Sequence, residues 1–175
     1  MKSETTNDVT IREAGAEDSR KLSLISDATF LETFAGAVDG AALIAHCAQK
    51  HSPAHIEHLL SAGARAWLAE LHHAPVGYAL LTRPELDAAR NGDVELKKIY
   101  LLSRFHGSGI AARLFDAVMV AARGHDRLLL GVKADNDRAI AFYRKQGFAQ
   151  IATRQFDVGG TLYDDVVLAR EISRT

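Results

Sequence analysis

The chain has 175 residues, enough for one domain with a sizeable core, and its 47% hydrophobic and 25% charged residues are ordinary for a soluble globular protein. Its 21 Lys and Arg balance 22 Asp and Glu to a formal net charge of -1, which excludes the basic footprint of a protein that grips nucleic acid through phosphates and the basic amphipathic face of a membrane-surface binder. The single cysteine, Cys47, excludes an intramolecular disulfide and a Cys-x-x-Cys pair for zinc or redox work.

The polar start, Met1–Asp8, reads as a disordered tail ahead of a single domain over 9–175. It lacks the apolar stretch of a signal peptide, and no apolar run is long enough for a membrane span, so a cytoplasmic location is the expectation. Val9–Glu13 reads as a first strand. Ala16–Phe34 reads as a helix, with Leu22, Ile25, Ala28 and Thr29 at helical spacing and acidic Glu17 and Asp18 in the first turn, where the helix dipole favours them. A second helix is expected over Gly40–Gln49. A third opens at Ser52-Pro53, a cap followed by proline at the first helical position, and ends near Ser61. Arg65–Leu71 and Val76–Thr82 are strands joined by His72-His73-Ala74-Pro75. Val94–Leu102 is a strand whose apolar phase slips, from Val94 and Leu96 to Ile99 and Leu101, the mark of a β-bulge near Lys97–Lys98.

Gly109–Arg123 is an amphipathic helix with Ile110, Leu114, Ala117, Val118 and Ala121 on one face, and Arg127–Val132 is a buried strand. Asn136 caps a helix to Gln146, and Gly147 takes the left-handed position after it, with Phe148 packing back. Ala149–Phe156 and Thr161–Ala169 close the chain as a hairpin. The order gives one strand–helix–strand unit flanked by hairpins, which predicts a mixed α/β sheet and not a repeating doubly wound one.

The most informative stretch runs from Glu95 through Phe105-His106-Gly107-Ser108-Gly109 into the helix. Backbone N–H groups at such a helix start converge on one point and favour an anion, and Gly107 and Gly109 allow close approach, so a phosphate-bearing ligand is the natural guest. Gly107-Ser108-Gly109-Ile110-Ala111-Ala112 also satisfies G-x-G-x-x-G/A, the dinucleotide fingerprint, and Asp135 follows the next strand, which keeps an NAD-dependent oxidoreductase open as an alternative. Against that reading, Ser103–His106 intervene where the fingerprint needs a tight turn.

His106-Gly107-Ser108-Gly109-Ile110-Ala111 resembles the cofactor loop Q/R-x-x-G-x-G/A of GNAT acetyltransferases, departing at His106. Asn136-x-x-Ala139-x-x-Phe142-Tyr143-x-x-x-Gly147-Phe148 resembles the second signature helix of that family, and Glu95-x-x-x-Ile99-Tyr100-Leu101 the strand before the loop. Thr29–Phe34 and Phe156–Asp165 are similar to segments of bacterial polyamine (spermidine/spermine) acetyltransferases. The resemblance implies a mixed α/β fold of about seven mostly antiparallel strands and transfer of an acetyl group from acetyl-CoA to a primary amine, with no metal. A non-catalytic acyl-CoA-binding module is the alternative within the same ligand class. A small-molecule amine is the expected partner, a homodimer stays open, and neither nucleic acid nor membrane is expected.

The resemblance implies that Ile99, Tyr100 and Leu101 pair with the pantetheine arm through their backbone, with the Leu101 N–H on the thioester oxygen. His106, Gly107, Ser108, Gly109, Ile110 and Ala111 are expected to hold the pyrophosphate, with Asn136 both capping its helix and reaching the cofactor. Tyr143 is the candidate general acid: an ordinary tyrosine, with a pKa of about 10, is protonated at neutral pH and can donate to a thiolate whose acid titrates near ~8.5. Glu95 is the candidate base, acting through a water. Glu32, Asp39 and Glu95 are the acidic groups available to a polycation. His46, His51, His55 and His58 read as a solvated histidine-rich helix without zinc spacing, Cys47 as a small apolar residue and Trp67 as core.

Overall fold

The computed structural model describes residues 8–172. Met1–Asn7, the greater part of the expected tail, lies outside the described residues. A strand β1 (Thr10–Ala14) leads through a 3₁₀ turn (Ala16–Asp18) into helix α1 (Ser19–Phe34). Helices α2 (Gly40–Lys50) and α3 (Pro53–Ser61) follow. Their starts are chemically fixed: Asp39 accepts from the N–H groups of Ala41 and Ala42, and Ser52 accepts from His55 N–H with Pro53 in the first turn. Next come β2 (Arg65–Leu71), β3 (Ala74–Thr82), β4 (Val94–Leu101), a 3₁₀ turn (Ser103–Phe105), α4 (Ile110–Ala121), β5 (Arg127–Lys133), α5 (Asp137–Lys145), β6 (Ala149–Val158) and β7 (Thr161–Glu171). The β2–β3 connection is a tight turn in which His72 and His73 both take positive φ, 51° and 63°.

The strands form one seven-stranded sheet in the order β1-β2-β3-β4-β5-β7-β6, antiparallel except for β4 against β5. That pair positions the site. Although β4 has eight residues and β5 seven, only Val94 pairs with Leu128 and Glu95 with Leu129. Beyond that vertex the strands splay, and among the described residues the edge of β4 facing β5 carries no strand partner over Ile99–Leu101. The β3–β4 register passes from Leu80↔Lys98 to Leu81↔Leu96, so Lys97 is the extra residue of a β-bulge, where the apolar phase slips in the sequence.

The two faces of the sheet bury different helices. On one, α4 contributes Ile110, Leu114, Phe115 and Val118, all at most 1% exposed, against Leu96, Leu101 and Leu128. Each such side chain stabilises by about 1.5–3 kcal/mol. On the other, Leu22 and Ile25 of α1 and Ile56 of α3 cover Leu68, Tyr78 and Leu80. At the vertex, Arg127 closes both carboxylate oxygens of Asp93, at 2.6 and 3.0 Å, and both side chains are buried.

Candidate active site

A cavity of about 480 Å³ opens where β4 and β5 part. Its walls come from four places: Thr29, Glu32 and Thr33 of α1; Ile99–Leu101 of β4; the loop and first turn of α4 from Ser103 to Ala112; and Arg138, Ala139, Phe142 and Tyr143 of α5. The α5 set is a single i, i+1, i+4, i+5 stripe, so one helix face presents all four.

Gly107 and Gly109 have φ of +76° and +84°, and a Cβ at either would meet nothing within 4 Å. Glycine is demanded there by the left-handed backbone and not by crowding. The N–H groups divide into two sets. Those of His106 and Ser108 are spent on Ser103 and Phe105 carbonyls, and that of Ile110 on Ser108 Oγ. Among the described residues those of Gly107, Gly109, Ala111 and Ala112 have no protein acceptor. Four unpaired donors at a helix N-terminus make an anion cradle. The cradle differs from the expected one: His106, Ser108 and Ile110 build the loop, and Ala112 joins the donors. The His106 ring lies 3.2 Å from the Leu101 carbonyl, pinning the loop to the end of β4.

Tyr143 is 7% exposed, wedged against Phe142 and Phe148 with ring centroids 5.4 and 5.5 Å apart, and no hydrogen bond to its hydroxyl is present among the described residues. Burial raises its pKa, with the charge of Tyr100 adding to the effect. It stays a proton donor throughout the neutral range. Gly147, at φ +86°, and the bond from Phe148 N–H to the Tyr143 carbonyl end the helix just beyond it. Asn136 is the cap expected, its Oδ1 accepting from Ala139 N–H at 3.1 Å, but it does not line the cavity.

Glu95 also lies outside the cavity walls. It is 3% exposed at the paired vertex, and its Oε2 accepts the Glu85 N–H at 2.7 Å. Opposite it in the register, Thr82 buries a hydroxyl that has no hydrogen-bond partner among the described residues. The acids proposed to meet a polycation are all engaged: Glu32 accepts from both the N–H and the hydroxyl of Ser103, Asp39 caps α2, and Glu95 holds Glu85.

Two features escape sequence reading. Arg138 is the guanidinium on the cavity wall, legible only as the first member of the stripe that holds Tyr143. The histidine-rich segment is the solvated helix expected only in part: His58 is exposed, but His51 and His46 are not. His51, the residue that ends α2, is 1% exposed, and His46 stacks on Phe30 at 4.3 Å with the rings 2° apart. His51 Nδ1 lies 3.0 Å from Asp27 Oδ1 on α1, and its Nε2 lies 3.1 Å from Lys98 Nζ on β4. Cys47 is half-buried beside them, its thiol pushed up to about 11 by burial and by its contact with Asp27. The ligand atoms of Asp27, Cys47 and His51 lie within 4.8 Å of one another, close enough to hold a metal ion.

Residues 33–148 match the acetyltransferase (GNAT) family. Uncharacterized N-acetyltransferases of Mycobacterium bovis and Mycobacterium tuberculosis are 43% identical over 99 residues, 55% of this chain and 60% of theirs, so the chain spans less than two thirds of those relatives. The fold is similar to that of the PaiA N-acetyltransferase from Thermoplasma acidophilum solved in complex with coenzyme A (TM-score 0.73, 18% identity, 93% of this chain and 98% of that one). A ribosomal-protein-alanine N-acetyltransferase from Brucella melitensis matches with a TM-score of 0.68 at 25% identity, over 93% of this chain and 99% of that one. With the family match covering well over half of its length, this chain, whose splayed strands, glycine loop and tyrosine helix meet at one cavity, belongs to the acetyltransferase (GNAT) family.

Proposed function

We propose that the protein transfers an acetyl group from acetyl-CoA to a primary amine, with a small polyamine as the first acceptor to test. The observation that carries the reading is the meeting, in one cavity, of four unpaired N–H donors at the α4 start with the unpartnered edge of β4. The cradle suits a pyrophosphate, Arg138 supplies a further positive charge, and Ile99–Leu101 offer backbone groups to an amide-bearing arm. The polyamine preference rests on the similarity of Thr29–Phe34 and Phe156–Asp165 to polyamine acetyltransferases.

The chemistry conserves protons. Of the three hydrogens on an acceptor ammonium, one stays on the amide nitrogen, one leaves to solvent through a base and one is matched on the departing thiol. As the free amine attacks the thioester carbon, the C–S bond breaks and Tyr143 gives its proton to the sulfur. Glu95, through a water beside Thr82, and Lys98 are the two groups on β4 able to take the acceptor's proton.

The test is thiol release from acetyl-CoA with a panel of primary amines, spermidine first. Amine-dependent release, with the acetylated amine found by mass spectrometry, supports the reading. Saturable acetyl-CoA binding with no amine acetylated would favour the non-catalytic module instead.

A further inference from the structure

The Asp27–His51–Lys98 chain adjoins two wall segments of this cavity, on α1 and β4, although none of the three residues lines it. Lys98 is the β4 residue immediately before Ile99, and Asp27 stands two residues before Thr29 on α1, both of which line the wall. Lys98 opposes Leu80 in the register and Tyr100 opposes Tyr78, so Lys98 and Tyr100 share the face of β4 turned toward α1, one pleat or about 7 Å apart. The Lys97 bulge places Lys98 just past the paired vertex, where the strand edge becomes free, whereas Glu95 is still within it.

Resting on the acetyltransferase reading, we propose that Lys98 is the general base that takes the proton of the acceptor amine, and that His51, held by Asp27, is the positioning residue that aims it. The argument is one of lone pairs. The Asp27 carboxylate can only accept, so the tautomer of His51 that satisfies it carries its proton on Nδ1. Nε2 is then left as an acceptor, and Lys98 must give it an N–H. A neutral Lys98 amine that spends one N–H on His51 has its lone pair turned away from the ring and free to receive a proton. The base becomes an ammonium on accepting it and releases it to solvent before the next turnover, so no other co-reactant is consumed.

The surroundings favour a lysine that can be neutral. Burial and the neighbouring charge of Lys97 push its amine down to about 8, with Lys50 acting in the same direction and Cys47 and Asp27 opposing. His46 and His51 face it from α2, and burial together with Lys98 keeps both rings neutral in the physiological range.

The experiment is the dependence of kcat on pH at saturating acetyl-CoA, with the fastest primary amine of the panel, for the wild type and for Lys98→Met, Lys98→Arg, His51→Gln and Glu95→Gln. The wild type should show a limb that rises with pH through about 8, because the base works only when deprotonated. Lys98→Met and Lys98→Arg should lower kcat at pH 7 at least ~10-fold and lose that limb, with acetyl-CoA affinity unchanged within about twofold. The arginine variant keeps the charge if the methionine variant folds poorly. His51→Gln, which leaves the amine unaimed, should lower kcat across the whole pH range while the limb and the acetyl-CoA affinity stay in place, a kcat-only loss that general loss of packing would not give. A limb near 8 that survives in both Lys98 variants, or that vanishes in Glu95→Gln, overturns the proposal. Failure of wild-type protein to bind acetyl-CoA or acetylate any amine overturns the acetyltransferase reading itself, and the base with it.

Discussion

At the scale of single residues, Tyr143 and Gly109 carry two separable parts of the proposed chemistry. Tyr143 is the proposed donor: burial raises its pKa, and no protein acceptor holds its hydroxyl among the described residues. Tyr143→Phe keeps the ring packing and removes the proton. It should lower kcat about 10²-fold while leaving acetyl-CoA affinity nearly unchanged, which steady-state kinetics and calorimetry measure separately. Gly109→Ala tests the cradle. A Cβ finds open space there, but φ of +84° costs a non-glycine residue about 1–2 kcal/mol, so the variant should either lose that much stability or turn its N–H away and lose acetyl-CoA affinity. An unchanged melting temperature with unchanged affinity would remove the cradle from the account. The glycines, the tyrosine and the cap on Asn136 were legible because each is a local motif. His51 was not. Its burial depends on Phe30 and Asp27 of α1 and on Lys98 of β4, and helical spacing within α2 says nothing of what packs over it.

At the scale of elements, the site is made by an absence of pairing. Strand boundaries, the Lys97 bulge and the amphipathic face of α4 were readable from alternation and periodicity within one segment. The splay of β4 from β5 was not, because it is a relation between two strands that each look regular. The exit of β4 is tightly fitted: a Cβ on Gly77, which pairs with Leu101, would overlap Leu101 Cδ2 and come within 2.8 Å of the Tyr100 carbonyl oxygen. Gly77→Val should therefore push Tyr100 and Leu101 out of line and weaken acetyl-CoA binding about 10-fold or more, measured by titration, beyond any loss of stability. The vertex depends on Asp93 and Arg127. Burial alone would raise the Asp93 pKa, but the bond from Arg127 and the Arg90 N–H overcome it and hold the carboxyl below its ordinary 3.8. Such a group stabilises the fold above 3.8 and loses that contribution as pH falls through the lowered value. Asp93→Asn should cost about 3–5 kcal/mol in chemical denaturation at pH 7, with the gap from wild type narrowing as the pH is taken below 3.8. A gap that is constant with pH would contradict the assignment.

At the scale of the whole molecule, a seven-stranded sheet is held together at one vertex and opened beyond it, with one helix start proposed to supply anion donors and another helix a proton donor. The mixed α/β order was evident from the sequence because hairpins and a single crossover are sequential features. The acceptor side is less legible: of the acids nominated for it, Glu32 lines the cavity while bonded to Ser103, and Asp39 and Glu95 lie outside its walls, bonded to backbone. A ligand that fills the opened half should stabilise the fold by mass action, about 2.7 kcal/mol at 100 times its Kd, and raise Tm by roughly 5–10 °C for a chain of this size. The most direct measurement is calorimetric titration with acetyl-CoA and, in parallel, NADH. Saturable one-to-one binding of acetyl-CoA, with no heat from NADH, is the predicted result. Binding of NADH in place of acetyl-CoA, or of neither, would contradict the account at its centre.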